Sequence, residues 1–195
     1  MSPFRSALVL FTSLVAVSAL HGQSGNVTER VFVSAGRIEM QLAGGSYSIR
    51  PAADTNIRVT LSGNVGRARV DITSNATRAN LAVMETPGDN FQATIEVPKV
   101  SDLIVRLSGG NLVLSGITGN KDIDSVAGNA EISIGNPNDY GSVEASVKAG
   151  DLNVGAFAGA RTSDSFGLLQ RATWSGKGRY TLKANLGAGN LVLRK

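Results

Sequence analysis

The chain has 195 residues, a formal net charge of +4 and no cysteine. Without cysteine it cannot form disulfide bonds, use thiol catalysis or carry a lipid on an N-terminal cysteine. The single histidine, His21, lies in a predicted export signal. The mature fold is therefore predicted to lack a Ser/His/Asp nucleophile and any histidine-ligated metal site, and no cofactor is predicted.

Residues 1–22 have the pattern of an export signal. Arg5 precedes a mostly apolar run over residues 7–20, and Val17, Ser18 and Ala19 place short side chains before a cleavage point. The run is shorter than the roughly 20 residues that span a bilayer, so an uncleaved anchor is the alternative interpretation. We expect an exported protein that is periplasmic, at the cell surface or secreted, with no transmembrane segment once the signal is removed.

Residues 24–195 are predicted to form one continuous all-β domain. In its first half, apolar residues alternate with polar ones, as expected for strands with one buried face. Turn signals such as Gly44-Gly45 and Pro87-Gly88 separate these strands. The predicted inward residues of this half are Ile57, Val59, Leu61, Val70, Ile72, Leu81, Val83, Phe91, Ala93, Ile95, Val97, Leu103, Val105 and Leu107.

A glycine followed by Asn or Asp and then by an alternating strand occurs four times in the second half. Glycine with Asn or Asp supplies the left-handed backbone that a sharp corner between two strands requires. Such turn-and-strand units predict a single-domain parallel β-solenoid, with the corners stacked in register. The four units are Gly110-Asn111, Gly128-Asn129, Gly150-Asp151 and Gly189-Asn190.

The interval between the last two units, from Gly150 to Gly189, is about twice the others. It indicates either a rung without a turn signal or an inserted hairpin. The hairpin is favoured, because two strand-like segments, residues 168–174 and 179–186, flank a short link with two glycines over residues 175–178. This hairpin is expected to cap one end of the solenoid.

Two stretches resemble a known bacterial family. Residues 91–98 form an apolar strand ending in Val-Pro, and residues 103–119 continue into Ser-Gly-Gly-Asn-Leu-Val-Leu-Ser-Gly. This pattern resembles the putative adhesin domain of unknown function, and residues 136–140 and 145–154 are similar to its later parts. The resemblance implies an exported, right-handed parallel β-solenoid with no catalytic residues. The chain departs from the family pattern in having Asn at three corners, where Asp is commoner, and this weakens any idea of carboxylate rows that bind cations.

Asp122 and Asp124 are the candidate catalytic pair. They are two residues apart, so on a strand they share one face, and solenoid enzymes that cleave polysaccharides can work with acidic pairs. The alternative is a solvated outer face beside Lys121. The glycines match neither the calcium-binding nonapeptide repeat nor the dinucleotide-binding fingerprint.

Trp174 is the candidate surface contact. With Arg171, Lys177 and Arg179 nearby in sequence, it could stack on a sugar ring or bind a partner, or else cap the open end of the solenoid. From residue 161 onward the chain is basic. This indicates either a contact for anionic glycans or, as at Arg194 and Lys195, charges that protect exposed strand edges.

Two functions follow from these observations. The preferred one is an exported, non-catalytic structural or adhesive module that presents flat polar faces to a surface, a cell-surface polysaccharide or another envelope protein. The alternative is a carbohydrate-active enzyme, a lyase or hydrolase, that uses carboxylates alone. Neither hypothesis involves nucleic acid, and the sequence does not fix the oligomeric state.

Overall fold

The structure is a computed structural model that describes residues 23–24, 26–33, 35–165 and 168–195. The predicted signal, residues 1–22, and with it His21, lie outside the described residues. The described chain is all-β, with one 3₁₀ turn at Pro137–Asp139 and no α-helix. Its strands are β1 (Gln23–Ser24), β2 (Val27–Val31), β3 (Arg37–Leu42), β4 (Gly45–Pro51), β5 (Asn56–Gly63), β6 (Arg69–Ser74), β7 (Arg78–Met84), β8 (Phe91–Val97), β9 (Asp102–Leu107), β10 (Gly110–Leu114), β11 (Lys121–Ser133), β12 (Tyr140–Asn153), β13 (Arg161–Asp164), β14 (Gln170–Ser175) and β15 (Tyr180–Arg194).

These strands form one large mixed sheet that branches and does not close. Its middle is parallel: one ladder runs β7-β3-β9-β11-β15-β12, and a second runs β8-β4-β10-β11-β15-β12. Its flanks are antiparallel, formed by β1, β2, β5 and β6 on one side and by β13 and β14 on the other. We call the first ladder the first leg and the second ladder the second leg.

The long strands β11, β12 and β15 belong to both legs and bend between them. In β11 the inward residues of the first leg are Lys121, Ile123 and Ser125, whereas those of the second leg are Ala130 and Ile132. The inward positions therefore change from odd to even numbers at the corner. A backbone of positive φ, such as that of Gly128 at +119°, produces this change, because it turns the chain out of regular alternation.

Short parallel contacts continue along a third side of the molecule. They join the connecting segments that lie just before the first-leg strands β3, β9 and β11. Ala35 N–H donates to Val100 O at 2.6 Å, Val100 forms a parallel bridge with Thr118, and Thr118 N–H donates to Lys99 O at 2.8 Å. The connections between strands are thus stacked on their neighbours as well, and this stacking pairs their backbone groups.

Strand β15 lies between β11 and β12, although it follows both in sequence. The predicted hairpin over residues 168–186 is therefore wrong, because β14 and β15 pair with opposite sides of β12. The glycine-containing link crosses the start of β12, where Gly176 N–H and Gly178 N–H donate to Gly141 O and Tyr140 O. The hairpin on this flank is instead β13-β14.

The core is one continuous cluster of aliphatic side chains between the legs. The inward alternation predicted for both halves is confirmed: the predicted residues are buried, apart from Val70, Ile72, Leu152 and Val154, which are half-buried and pack on the core. Aromatic rings occur mainly toward the ends, where Phe157 packs edge-on against Tyr140 with centroids 5.8 Å apart. A thin interior suits Val, Ile, Leu and Ala, because these side chains interdigitate without large voids.

Candidate functional site

The structure places the four predicted corner glycines in one row. Gly128 pairs in parallel register with Gly110 and with Gly189, and Gly189 pairs with Gly150. The backbones approach so closely that a Cβ on Gly128 would overlap Gly110 O, and one on Gly189 would overlap Gly128 O. The row therefore requires glycine both for its positive φ and for its space.

A fifth glycine, Gly45, continues this row beyond Gly110, and the sequence interpretation missed it as a corner. The sequence pattern predicts only a turn at Gly44-Gly45. The signal for a corner is a glycine followed by a polar residue and a strand, and here the polar residue is Ser46, where the other corners have Asn or Asp. Hereafter the corner glycines are Gly45, Gly110, Gly128, Gly189 and Gly150, in their order in the sheet.

The polar residues that follow the corner glycines form a hydrogen-bonded row on the surface. Asn190 Nδ2 donates to Asn129 Oδ1 at 2.9 Å, and Asn129 Nδ2 donates to Asn111 Oδ1 at 3.1 Å. Asn111 Nδ2 lies 3.5 Å from Ser46 Oγ, at the far end of the row. At the opposite end of the row from Ser46, Asp151 is the partner of Asn190 in the backbone register. The amides thus all point their donors in one direction along the sheet.

A trough of about 690 Å³ runs across the first leg just before the corner glycines. Its floor is a row with one residue from each of six neighbouring segments. In the five segments that have a corner glycine, the floor residue lies two positions before that glycine. The floor residues, in sheet order, are Met84, Ala43, Ser108, Val126, Gly187 and Lys148. Three of these are aliphatic or thioether side chains, and Val126 is 68% exposed.

The trough has a polar wall and two different ends. Gln41, Ser146 and Asn185 stand along the wall beside an ion pair between Arg106 and Asp124, 3.2 Å apart. At the Met84 end, Glu85 is neutralised by Arg69 at 3.4 Å. At the other end Lys148 is exposed, and no described carboxylate lies within ion-pair distance of it. One end of the trough is therefore neutral and the other cationic.

Asp122 and Asp124, the candidate catalytic pair, lie on one outward face of β11 as predicted, but both pair with Arg106. The Arg106 guanidinium is 3.1 Å from Asp122 and 3.2 Å from Asp124, and Asn185 donates to Asp124 at 2.7 Å. Partial burial acts to lower the pKa of Arg106, but the hydrogen bond with Asp122 and the charges of both aspartates together outweigh it and raise the pKa above its ordinary value. A carboxylate held this way accepts hydrogen bonds from cations and amides, whereas a general acid must carry a proton.

Lys121 was expected on a solvated outer face, and this is wrong, because its side chain is 1% exposed. Its Nζ donates to Tyr140 Oη at 2.7 Å and to Gly119 O at 3.1 Å, which satisfies the buried amine in part. Burial lowers the pKa of Lys121 to about 8, and the charge of Asp102 acts in the opposite direction. The alternation of β11 already indicates this position, because Lys121 lies two residues before the inward Ile123 and therefore shares its face.

Trp174 lies on the inward face of β14. Its ring packs against Phe157 with centroids 5.0 Å apart, and its indole N–H donates to Ala158 O at 3.2 Å. Arg171 lies on the opposite face, because residues three apart on a strand point to opposite sides, and it is 4.0 Å from Glu144. Trp174 thus covers the end of the core on this flank.

The other two members of that predicted contact also lie apart from Trp174. Lys177 is exposed in the link after β14, and Arg179 stacks its guanidinium on the ring of Tyr180, 4.7 Å from the centroid. The four residues therefore do not form one surface.

Arg194 does not protect a sheet edge. Arg194 belongs to β15, which has a neighbour on each side, and its guanidinium pairs with Glu131 on β11. Its Nε also donates to Ser133 Oγ at 3.2 Å. The strands at the edges of the first leg are instead β6 and β13.

No helix among the described residues has the length and hydropathy of a membrane-spanning segment. No group of three or more His, Cys, Asp or Glu side chains in the described ranges is arranged to hold a metal ion.

Comparison with known proteins gives a fold but no family. No protein-family description matches the chain, and no curated protein sequence matches it. A putative cell adhesion protein from Clostridium sporogenes ATCC 15579 aligns over 86% of this chain and 98% of its own, with a TM-score of 0.51 and 11% identity. At this identity the likeness defines a shared fold and nothing more.

Two further solved structures align with lower scores. A putative adhesin from Parabacteroides distasonis ATCC 8503 covers 86% of this chain and 69% of its own, with a TM-score of 0.27 and 11% identity. A putative adhesin from Parabacteroides merdae ATCC 43184 covers 87% and 81%, with a TM-score of 0.24 and 12% identity. These scores lie below the level at which a common fold is inferred.

Proposed function

We propose that the chain is an exported, non-catalytic adhesive or structural module, built as one right-handed β-solenoid domain over residues 24–195. Support for the coil comes from three stacked sides: the first leg, the second leg, and the bridged segments around Val100 and Thr118. The module acts in the periplasm, at the cell surface or outside the cell, after removal of residues 1–22. Its partner is a cell-surface polysaccharide or another envelope protein.

The observation that carries this proposal is that polar side chains on the outer faces are tied to one another across strands. On the antiparallel flank beside the second leg, Arg58 of β5 pairs with Glu29 at 2.8 Å, Asp54 at 3.2 Å and Glu96 at 3.1 Å. The hydrogen bond from Arg58 lowers the pKa of Glu29, so this carboxyl is held ionised. Together with the Asn row and the Arg106 pairs, these contacts give rigid polar surfaces that favour binding over proton transfer.

The adhesive role is also supported by the Clostridium sporogenes structure, whose protein is described as a putative cell adhesion protein. We extend that role to this chain as a proposal, on the shared fold together with the polar faces. The carboxylate-only enzyme is not favoured, because Arg106 lies between the two aspartates where a scissile bond would have to enter.

A polysaccharide panel tests the proposal. Cell-wall and capsular polysaccharides are immobilised, and both retention of the purified chain and release of new reducing ends are measured. We expect retention of at least one polymer without release. Release above that of a boiled sample, abolished in the double variant Asp122→Asn and Asp124→Asn, would establish the enzyme instead.

A matched pair of variants locates the binding face. Replacing Asn129 and Asn190 together by alanine removes the middle of the Asn row, whereas replacing Asp122 and Asp124 by asparagine changes the opposite leg. If the second leg is the adhesive face, only the first pair weakens retention. Equal loss in both pairs, or none in either, would count against a polar face as the binding surface.

A further inference from the structure

We propose that the trough across the first leg binds one linear acyl chain with an anionic head group, the chain lying along the floor and the head at Lys148. This inference is independent of the adhesive role, because it concerns a different surface and a different class of ligand. It rests on the shape, lining and charge of the trough.

The dimensions suit a single extended chain. The floor crosses six neighbouring segments, and strands in a sheet are about 4.8 Å apart, so the trough is about 24 Å long. Its volume of about 690 Å³ falls within the roughly 300–1,000 Å³ typical of small-molecule sites. Gly187 adds no side chain to the floor between Val126 and Lys148, and a Cβ at this position would overlap Val126 O.

The lining favours an aliphatic ligand over a sugar or a peptide strand. Met84, Ala43 and Val126 supply the apolar side chains of the floor, and none of the described lining residues is aromatic. Sugar-binding surfaces usually offer rings for stacking. A peptide cannot add as a strand, because every segment that crosses the floor is already paired on both sides.

The charges set the direction of the ligand. Lys148, which forms no ion pair with any carboxylate of the described residues, lies at one end of the floor, whereas the Met84 end carries the neutral pair of Glu85 and Arg69. Arg106 is already occupied by Asp122 and Asp124. An anion at the end of an aliphatic chain therefore has one favourable position, beside Lys148.

Displacement of a fluorescent fatty acid tests the proposal. The purified full chain is saturated with cis-parinarate and titrated with saturated fatty acids of increasing length, all below their micelle concentrations. We expect affinity to rise about twofold for each methylene, because an open trough buries part of each group, and to level off when the chain fills the trough. No displacement, or an affinity that does not depend on chain length, would overturn the proposal.

Two matched substitutions place the ligand. Val126→Asp puts a charge on the floor and should weaken palmitate binding about tenfold or more, since a charge in contact with methylenes loses its hydration. The same change at Val113, which is exposed on the second leg, should have no effect. Both variants are first checked for the wild-type Trp174 emission and melting temperature. If Val126→Asp and Val113→Asp weaken palmitate binding equally, the ligand does not lie in the trough.

The head group is tested with a charge reversal and an uncharged ligand. Lys148→Glu should weaken palmitate about fivefold, the size of an exposed ion pair, and leave hexadecanol unaffected. Lys183→Glu, on the same leg but outside the trough, should change neither. A loss for both ligands in Lys148→Glu would contradict the assigned direction, as would displacement of cis-parinarate by glycans or peptides as effective as palmitate.

Discussion

At the corners in the middle of the sheet, neighbouring segments carry glycine at the same place, whereas each flank is closed by residues that occur once. Gly110, Gly128 and Gly189 are interchangeable members of one row. On the flank beyond β12, Phe157 and Trp174 pack on each other and have no counterpart in the repeat. The middle is thus specified by backbone conformation and register, and the flank by side-chain packing.

The largest effect is expected at a corner glycine. Gly189→Ala forces a side chain at φ +124° into Gly128 O, so we expect a loss of at least about 3 kcal/mol in the free energy of unfolding, or no folded protein. Gly135→Ala is the control: its φ is +71°, but nothing lies within 4 Å of the added Cβ, so the cost is about 1 kcal/mol. Urea denaturation measures both. Similar losses would mean that close approach across the row contributes nothing.

The flank should respond to a change in packing. Phe157→Ala removes a buried ring that contacts Tyr140 and Trp174, and we expect a loss of about 3–4 kcal/mol and a red shift of the Trp174 emission. Phe157→Leu keeps most of the volume and should cost less than about 1.5 kcal/mol. An unshifted emission in Phe157→Ala would show that Trp174 is covered by other residues.

The buried lysine gives the middle of the sheet a pH dependence. Because the pKa of Lys121 is lowered to about 8 from 10.5, the unfolded chain binds more protons between these values, and stability rises with pH there. We expect a gain of about 2 kcal/mol from pH 8 to 10. Burial raises the pKa values of Tyr140 and Tyr47 above 10, so their ionisation in the unfolded chain lowers stability at higher pH.

The check is urea denaturation at several pH values between 8 and 10. The variant Lys121→Met should lack the rise, because it has no proton to lose, while Lys183→Met, which removes an exposed lysine from the same leg, should keep it. A rise of the same size in Lys121→Met would assign the effect to another group.

The smallest effect is expected in the Asn row. Asn129→Ala removes one hydrogen bond donated to Asn111 and one accepted from Asn190, both on an exposed face, so we expect a loss of about 1 kcal/mol. Asn138→Ala, whose side chain has no hydrogen bond within the described ranges, should stay within about 0.5 kcal/mol. If the two variants lose the same free energy of unfolding within error, the hydrogen bonds of the Asn row do not contribute to stability.

Much of the middle could be predicted from the sequence, because its signals are local. The glycine-Asn pairs at Gly110, Gly128 and Gly189 mark corners, and alternation marks the inward face of residues such as Leu112 and Ile132. Ser46 shows the limit of this approach: with Ser in place of Asn the same corner was read as an ordinary turn.

Partner choice could not be predicted in the same way. Leu182, Ala184 and Leu186 fit the core beside β11 as well as beside β12, so nothing local indicates that β15 lies between them. The trough was missed for a related reason: its floor residues are dissimilar side chains, and only the register of six segments brings Val126 beside Ser108 and Gly187. The alternation of β11 places Lys121 inward, but a buried amine needs a hydrogen-bond partner, and that partner, Tyr140, is 19 residues away in sequence.

The position of β15 between β11 and β12 also determines when the sheet can be completed during folding. Synthesis delivers β11 and β12 before β15, and these two strands have matching corner glycines and matching aliphatic faces, so they can pair with each other first. Residues 180–194 must then reach the gap before it closes, or reopen it. Completion of the sheet thus depends on a segment that is synthesised after both of its neighbouring strands.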